Sequence, residues 1–228
     1  MSQNSQMTTI RKSRGQKRPN QPPARVAHLS SAKKMHTAAE LIPKIDQEIF
    51  RAHTIHETFF ALFDSGDEVV SLLDESDGQF FELVYLMYLD AITLSFTRLI
   101  DGDKSCGKDN LTFYYLLKRT DLKSHARYAE WIADLDAVKK RAEAFREVRN
   151  TAVGHLDFVT TVMGGLSPQP SFSRKDIEDV YRGLTELLTK IRAELGMTPM
   201  LYSIGIAGFQ YARPILLRLR EAKKALER

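Results

Sequence analysis

Apolar side chains recur at steps of three and four residues from about Ser31 onward, a spacing typical of amphipathic helices. The first run has apolar residues at Ala38, Leu41, Ile42, Ile45 and Ile49, and continues to Phe59, Phe60 and Phe63. No segment alternates apolar and polar residues as a half-buried strand would. The sequence therefore predicts an all-α bundle of five to seven helices.

Breakers and capping residues set the expected helix boundaries. A short amphipathic piece is expected at 69–73, and a longer helix from about 79 to 100. Asn110 is a candidate N-cap for a short helix that ends at Leu117. A long helix is predicted over 125–152.

The C-terminal part is predicted to hold two more helices. The stretch 154–172 is rich in Gly and Pro and is expected to be a loop. Ser173 with Asp176 forms a capping-box pattern, and the helix that it opens should end at Gly196. Pro214 should start or kink the last helix.

Residues 1–30 are rich in Ser, Gln, Asn, Pro and Arg, and such a composition buries too little apolar surface to offset the entropy of ordering. We expect a disordered basic tail over 1–30 and one all-α domain over 31–228. Residues 1–34 hold eight of the 33 Lys and Arg residues and none of the 29 acids, so 25 basic and 29 acidic residues remain for 35–228. Such an arm can hold RNA phosphates without reading sequence, or it is only a solvated leader.

The composition predicts a soluble, cytoplasmic protein. No run approaches the roughly 18 uncharged apolar residues that a membrane span requires. The N-terminal residues lack the apolar core of a secretory signal. The single cysteine, Cys106, excludes an internal disulfide and fits a reducing compartment.

Two motifs are incomplete. The segment 102–108 has the glycines and lysine of a phosphate-binding P-loop, but Asp109 replaces the residue that binds magnesium and a helix precedes it. We interpret it as a polar loop between helices.

His53 and His56 could share a metal ion, but Phe60 stands where a zinc-protease helix has its second histidine. We expect exposed or capping histidines, no metal site and no cofactor.

The segment 145–157 carries the groups that a metal-free ribonuclease needs. An imidazole can move protons between a 2′-hydroxyl, a water and a leaving 5′-oxygen, and a guanidinium can hold the charge that builds on phosphorus. Arginine binds phosphate at two points and keeps its charge. The candidate catalytic residues are Arg149 and His155, with Asn150 orienting the imidazole or a nucleotide oxygen. Arg146 is an additional candidate for substrate binding.

The spacing of Arg149 and His155 does not place them side by side. Six residues correspond to about 240° of rotation and ~9 Å of rise on a regular helix. Either the helix loosens at Gly154, or each residue works with its counterpart across a two-fold dimer axis. The alternative is that both residues only cap a helix end or lie at the surface.

An Arg, a polar residue and, a few positions on, a His resemble the signature of the HEPN superfamily. These are small all-α domains common in toxin–antitoxin and phage-defence systems. Arg149, Asn150 and His155 fit that signature.

Further residues are similar to the AbiU-like abortive-infection branch of that superfamily. They are Gly154 before the His, Asp157 after it, and the run Thr97-Arg98-Leu99-Ile100-Asp101 that closes an earlier helix and precedes a polar loop and 111–117. The order of helices matches over about 35–228, and the basic tail lies outside the resemblance.

The resemblance implies a metal-independent endoribonuclease, active as a homodimer with Arg and His of both subunits in one basic cleft. Arg149 would stabilise the phosphorane, His155 would transfer protons and Asn150 would position RNA. A toxin or phage-defence effector of this kind would have RNA and an antitoxin protein as partners. The role given to Arg146 is our own inference.

Two alternatives remain open. HEPN domains that have lost activity serve as RNA- or nucleotide-binding modules, here within a defence complex. The aromatic residues between Phe59 and Tyr88 could also belong to a helical dimerisation scaffold without a ligand, or simply to the core.

Overall fold

The computed structural model describes residues 36–150, 172–202 and 207–227. Over these residues the chain forms seven α-helices, which confirms the predicted all-α class. The helices are α1 Ala38–Phe63, α2 Asp67–Ile100, α3 Phe113–Arg119, α4 Tyr128–Arg141, α5 Glu143–Val148, α6 Arg174–Glu194 and α7 Ala207–Leu226. A hairpin of β1 Lys104–Ser105 and β2 Lys108–Asp109 follows α2, and a 3-10 turn spans Asp121–Ser124. The tail predicted over 1–30 lies outside the described residues, as does nearly all of the loop predicted over 154–172.

A capping box starts α1. The Thr37 hydroxyl accepts a hydrogen bond from the Glu40 backbone N–H at 3.3 Å, and the Glu40 carboxylate accepts one from the Thr37 N–H at 3.1 Å. The apolar face predicted from the spacing is buried; its members include Ala38, Leu41, Ile42, Ile45 and Ile49. Each such Leu or Ile contributes about 1.5–3 kcal/mol on burial, so this face holds α1 in the core.

One break divides α2. Asp77 has an extended backbone (φ −167°, ψ 84°), which separates a short piece from a longer one as the sequence predicts. The Asp77 carboxylate accepts a hydrogen bond from the Phe80 N–H at 3.1 Å and so caps the longer piece. By length and composition α2 could also cross a membrane, but a core helix of a soluble protein meets the same criterion.

Two predicted helix boundaries are wrong. The N-cap of α3 is Thr112, whose hydroxyl accepts from the Tyr115 N–H at 3.0 Å, whereas the Asn110 amide donates to the Gly102 carbonyl at 3.2 Å. The helix predicted over 125–152 is interrupted at Ala142 (φ −86°, ψ 10°), which separates α4 from α5.

The segment after α2 is an antiparallel hairpin rather than an irregular loop. Lys104 pairs with Asp109 and Ser105 with Lys108. Both turn residues have positive φ, 47° at Cys106 and 76° at Gly107, as a tight two-residue hairpin turn requires. Because the chain enters the hairpin from a helix, the geometry differs from a P-loop, as the sequence indicates.

The predicted start and end of α6 are confirmed. Ser173 and Asp176 form the capping box, and Gly196 takes a left-handed conformation (φ 63°) just after the helix. Pro214 lies inside α7 and does not start it.

The core is built by α1 packing on α2 and α7, and by α4 packing on α6. Trp131, Phe96, Phe113 and Phe145 are its largest fully buried side chains. Since Phe145 belongs to α5, the core holds this short helix against α2 and positions the residues that follow it.

Candidate active site

Phe145 fixes the orientation of α5. Its ring stacks on Phe172 with centroids 4.2 Å apart, and meets Phe96 of α2 edge-on at 5.7 Å. Such aromatic pairs add about 0.5–1.5 kcal/mol each beyond the buried area. Arg149 follows one helical turn later and therefore leaves the core from a well-anchored segment.

The backbone of Arg149 and Asn150 is π-helical. Single π-turns inside helices are rare and frequently occur at functional sites. A wider turn changes the angles between the residues on either side of it, so the rotation of a regular helix does not apply through this point. Gly154, where the sequence suggests that the helix could loosen, lies outside the described residues.

The Arg149 guanidinium binds two oxygen-bearing side chains. Its Nη1 is 2.5 Å from Oδ2 of Asp101, and its Nε and Nη2 donate to Oδ1 of Asn150 at 3.2 and 3.1 Å. Arginine has five N–H groups. Among the described residues these contacts engage three of them, so one N–H on each Nη has no partner there.

Asp101 comes directly after the last residue of α2 and joins the two sequence motifs. It closes the run 97–101, and its carboxylate holds the arginine of the 149–155 segment. Asp101 also lines a pocket of about 440 Å³ together with Arg98, Ser105, Asp109, Asn110 and Leu111. Arg98, whose side chain is exposed, is the cation among these lining residues, and Asp101 links the pocket to Arg149.

The structure brings together some of the predicted site residues. Arg149 and Asn150 are in contact, whereas His155 lies outside the described residues. Arg146 pairs with Glu143 at 3.1 Å and, within the described part of the chain, makes no hydrogen bond to Arg149 or Asn150.

Sequence reasoning missed the partnership of Asp101 with Arg149 and the position of Arg98. Both residues belong to the run 97–101, whose sequence shows a family resemblance but indicates no role in the site. The sequence does show an acidic residue at the end of one helix and an arginine at the end of another. It does not show that they pair, because the two residues are 48 positions apart.

The prediction of exposed or capping histidines on α1 is wrong. His53 and His56 are 5% and 2% exposed and face α6. His53 Nδ1 is 3.1 Å from His56 Nε2, which is 3.3 Å from Oε1 of Glu57. These three residues line a pocket of about 770 Å³.

The bundle, with an arginine-led segment anchored beside the end of a core helix, has the features of an all-α domain of the HEPN type. A family model described as AbiU2, within HEPN, matches residues 36–199, and the chain belongs to this HEPN AbiU2 family. The match includes 97–101 and 149–155. The search of curated proteins found no match, and the search of solved structures found none either.

Proposed function

We propose that this chain is a HEPN endoribonuclease that cleaves RNA with Arg149, Asn150 and His155 and needs no metal ion at the reacting phosphate. The observation that supports it is the Arg149 guanidinium, which Asp101 and Asn150 orient and which keeps two N–H groups without a partner among the described residues. The exposed Arg98 and the neighbouring pocket provide room and charge for an RNA backbone.

In the proposed reaction His155 takes the proton of a 2′-hydroxyl as that oxygen attacks the adjacent phosphorus. The bond from phosphorus to the 5′-oxygen breaks, and the proton returns from an imidazolium to that oxygen. The products are a cyclic phosphate and a free 5′-hydroxyl. Arg149 stabilises the charge on the phosphorane oxygens. Proton transfer by a positioned side chain such as His155 typically contributes about 10²–10⁴-fold to the rate.

We further propose that the active form is a homodimer. An exposed apolar stripe on α2 supports this, since Phe80, Leu83 and Met87 are 54%, 57% and 62% exposed at helical spacing. Neighbouring positions towards the end of α2, among them Ala91 and Leu94, are half-buried and apolar. A contiguous apolar surface of this kind commonly marks an interface between proteins.

The cellular role that fits this family is abortive infection, in which RNA cleavage arrests the infected cell. The basic residues 1–34 would add non-specific affinity for RNA. An antitoxin protein would hold the enzyme inactive until infection.

Incubating the protein with tRNA and mRNA in EDTA tests the proposal. Cleavage by the wild type is expected, with a rate at least roughly 100-fold lower in His155→Ala and Arg149→Ala. Arg220→Ala is the matched control, because Arg220 pairs with Glu68 on the surface of α7 and should leave cleavage unchanged. Cleavage by His155→Ala at the wild-type rate, or no cleavage by any variant, would contradict the proposal.

A non-catalytic RNA-binding module is distinguished by the same variants. It would bind RNA in a salt-dependent manner, with affinity insensitive to His155→Ala, and would release no 5′-hydroxyl.

A further inference from the structure

We propose that His53, His56 and Glu57 bind one divalent transition-metal ion, with Zn²⁺ as the best-suited ion, in the wall of the pocket between α1 and α6. This site involves none of the residues proposed to cleave RNA. It extends the proposed function and does not depend on it.

The separations of the three candidate ligand atoms fit a metal ion. Zinc binds imidazole nitrogen at about 2.0–2.1 Å and carboxylate oxygen at about 2.0–2.2 Å, so two ligands in a tetrahedral site lie roughly 3.3–3.5 Å apart. Nδ1 of His53 and Oε1 of Glu57 are 3.1 and 3.3 Å from Nε2 of His56. All three ligand atoms lie within 4.8 Å of one another. Glu57 is only partly buried, so its carboxylate has room to adjust.

One arrangement of protons leaves two lone pairs face to face. With the proton on Nδ1 of His56, the Nε2 lone pair faces the Glu57 carboxylate at 3.3 Å. A cation bound between these two atoms accepts both lone pairs and offsets that repulsion. The buried Nδ1 of His56, which has no hydrogen-bond partner in the described part of the chain, takes no part in this arrangement.

Aromatic contacts hold the two imidazoles in place. His53 stacks on Tyr181 of α6 with centroids 4.9 Å apart, and His56 meets the same ring edge-on at 5.1 Å. His56 also contacts Phe60 and Phe96, at 5.8 and 6.1 Å. A pair of ligands that is rigid before the metal arrives loses little entropy on binding it.

The surrounding charges favour a cation. Glu186 lines the same pocket as the three ligands, whereas Glu178 of this pocket is already paired with Arg174. The two basic residues that line the pocket are each paired with a carboxylate, Arg182 with Asp179 and Lys190 with Asp134.

Three protein ligands leave a fourth zinc position open. Because all three residues line the pocket of about 770 Å³, this position is accessible to water or to a small ligand. A site of this type differs from a closed structural zinc site, in which the protein supplies all four ligands.

Calorimetric titration of the full-length, chelator-treated protein with Zn²⁺ tests the proposal. One Zn²⁺ per chain is expected, together with a higher melting temperature in its presence. Glu57→Gln keeps the side-chain volume but removes the charged ligand, and should weaken binding by at least the roughly 10–100-fold that the loss of an outer-shell partner costs. Glu178→Gln is the matched control, a carboxylate in the same pocket that should leave binding unchanged. No binding by the wild type, or equal binding by wild type and Glu57→Gln, would overturn the proposal.

X-ray absorption at the zinc edge of the loaded wild type provides a second measurement, since replacing a buried histidine could unfold the chain. A first shell of nitrogen and oxygen at about 2.0 Å with two imidazoles is expected. A sulfur ligand, which only the exposed Cys106 or a methionine could supply, would overturn the proposal, as would a shell without imidazole.

Discussion

Arg149, at the end of α5, forms a salt bridge with Asp101, which directly follows α2. The two side chains are 22% and 32% exposed, so the pair is partly shielded from water yet open to a ligand. Asn150 holds the other edge of the same guanidinium. A residue proposed to stabilise a phosphorane is thus oriented before RNA binds, which is how preorganised charge lowers a barrier.

Asp101→Asn should reduce kcat for RNA cleavage by roughly 10-fold, because hydrogen bonds to charged groups are worth about 1.5–3 kcal/mol and this one orients Arg149. KM for RNA should not rise, since the change removes a negative charge beside the phosphates. Single-turnover kinetics separates the two effects. Asp103→Asn is the control, because Asp103 pairs with Arg119 at 2.6 Å in the same hairpin region. A rise in KM with unchanged kcat would contradict a positioning role for Asp101.

Arg149→Lys should lose most of the cleavage although it keeps the charge. A lysine ammonium is a point charge and cannot bind Asp101, Asn150 and a phosphate in one plane. We expect a fall on the order of 100-fold in kcat/KM, close to that of Arg149→Ala. Wild-type rates in the lysine variant would show that charge alone suffices.

Much of the helix pattern was predictable because its signals are local. The buried face of α1 follows from apolar spacing, and Ser173 with Asp176 lies within one turn of α6. The break at Ala142 had no such signal, since alanine is the strongest helix former. Ala142 is fully buried, so its environment in the folded core was not visible in the sequence.

The candidate site was predictable only in part. The segment 149–155 was identified from residue types, but the contact with Asp101 depends on how α2 and α5 pack. The burial of His53 and His56 had a visible signal, because both lie between the apolar positions Ile49, Phe59 and Phe60 of α1. Because histidine is polar, both residues are nevertheless predicted from the sequence to be exposed or to cap a helix.

Asp46→Ala should lower the free energy of unfolding by about 3–5 kcal/mol, because it leaves a buried charge without its partner. Asp46 binds Arg192 at 2.6 Å and Tyr202 at 2.5 Å, and Asp46 and Arg192 are both more than nine-tenths buried. Urea unfolding measures the change. The exposed pair of Glu68 and Arg220 is the control, and Glu68→Ala should change stability by less than about 1 kcal/mol. Equal effects would mean that the Asp46 network is not buried in solution.

The stabilisation by Asp176 should depend on pH. Hydrogen bonds from the backbone and hydroxyl of Ser173 lower the pKa of Asp176 below its ordinary 3.8. A carboxylate with a lowered folded-state pKa stabilises the protein fully above its unfolded pKa, and this contribution is lost as the pH falls through the folded value. The stability difference between wild type and Asp176→Asn should therefore be largest near neutral pH and shrink below about pH 4. Urea midpoints from pH 7 to pH 3 measure it, and a difference independent of pH would contradict the capping box.

Mixing two inactive variants tests whether the site is shared between subunits. If Arg149 of one protomer works with His155 of its partner, a heterodimer of Arg149→Ala and His155→Ala contains one intact site. Random exchange makes half of the dimers heterodimers, and each of these has one intact site out of two. Cleavage should therefore return to about a quarter of the wild-type rate.

Adding Leu83→Lys to both variants should abolish this recovery, because it places a charge in the exposed apolar stripe of α2. Glu82→Lys is the neighbouring control and should allow recovery. No recovery in a mixture that sedimentation shows to contain heterodimers would mean that each chain carries its own complete site.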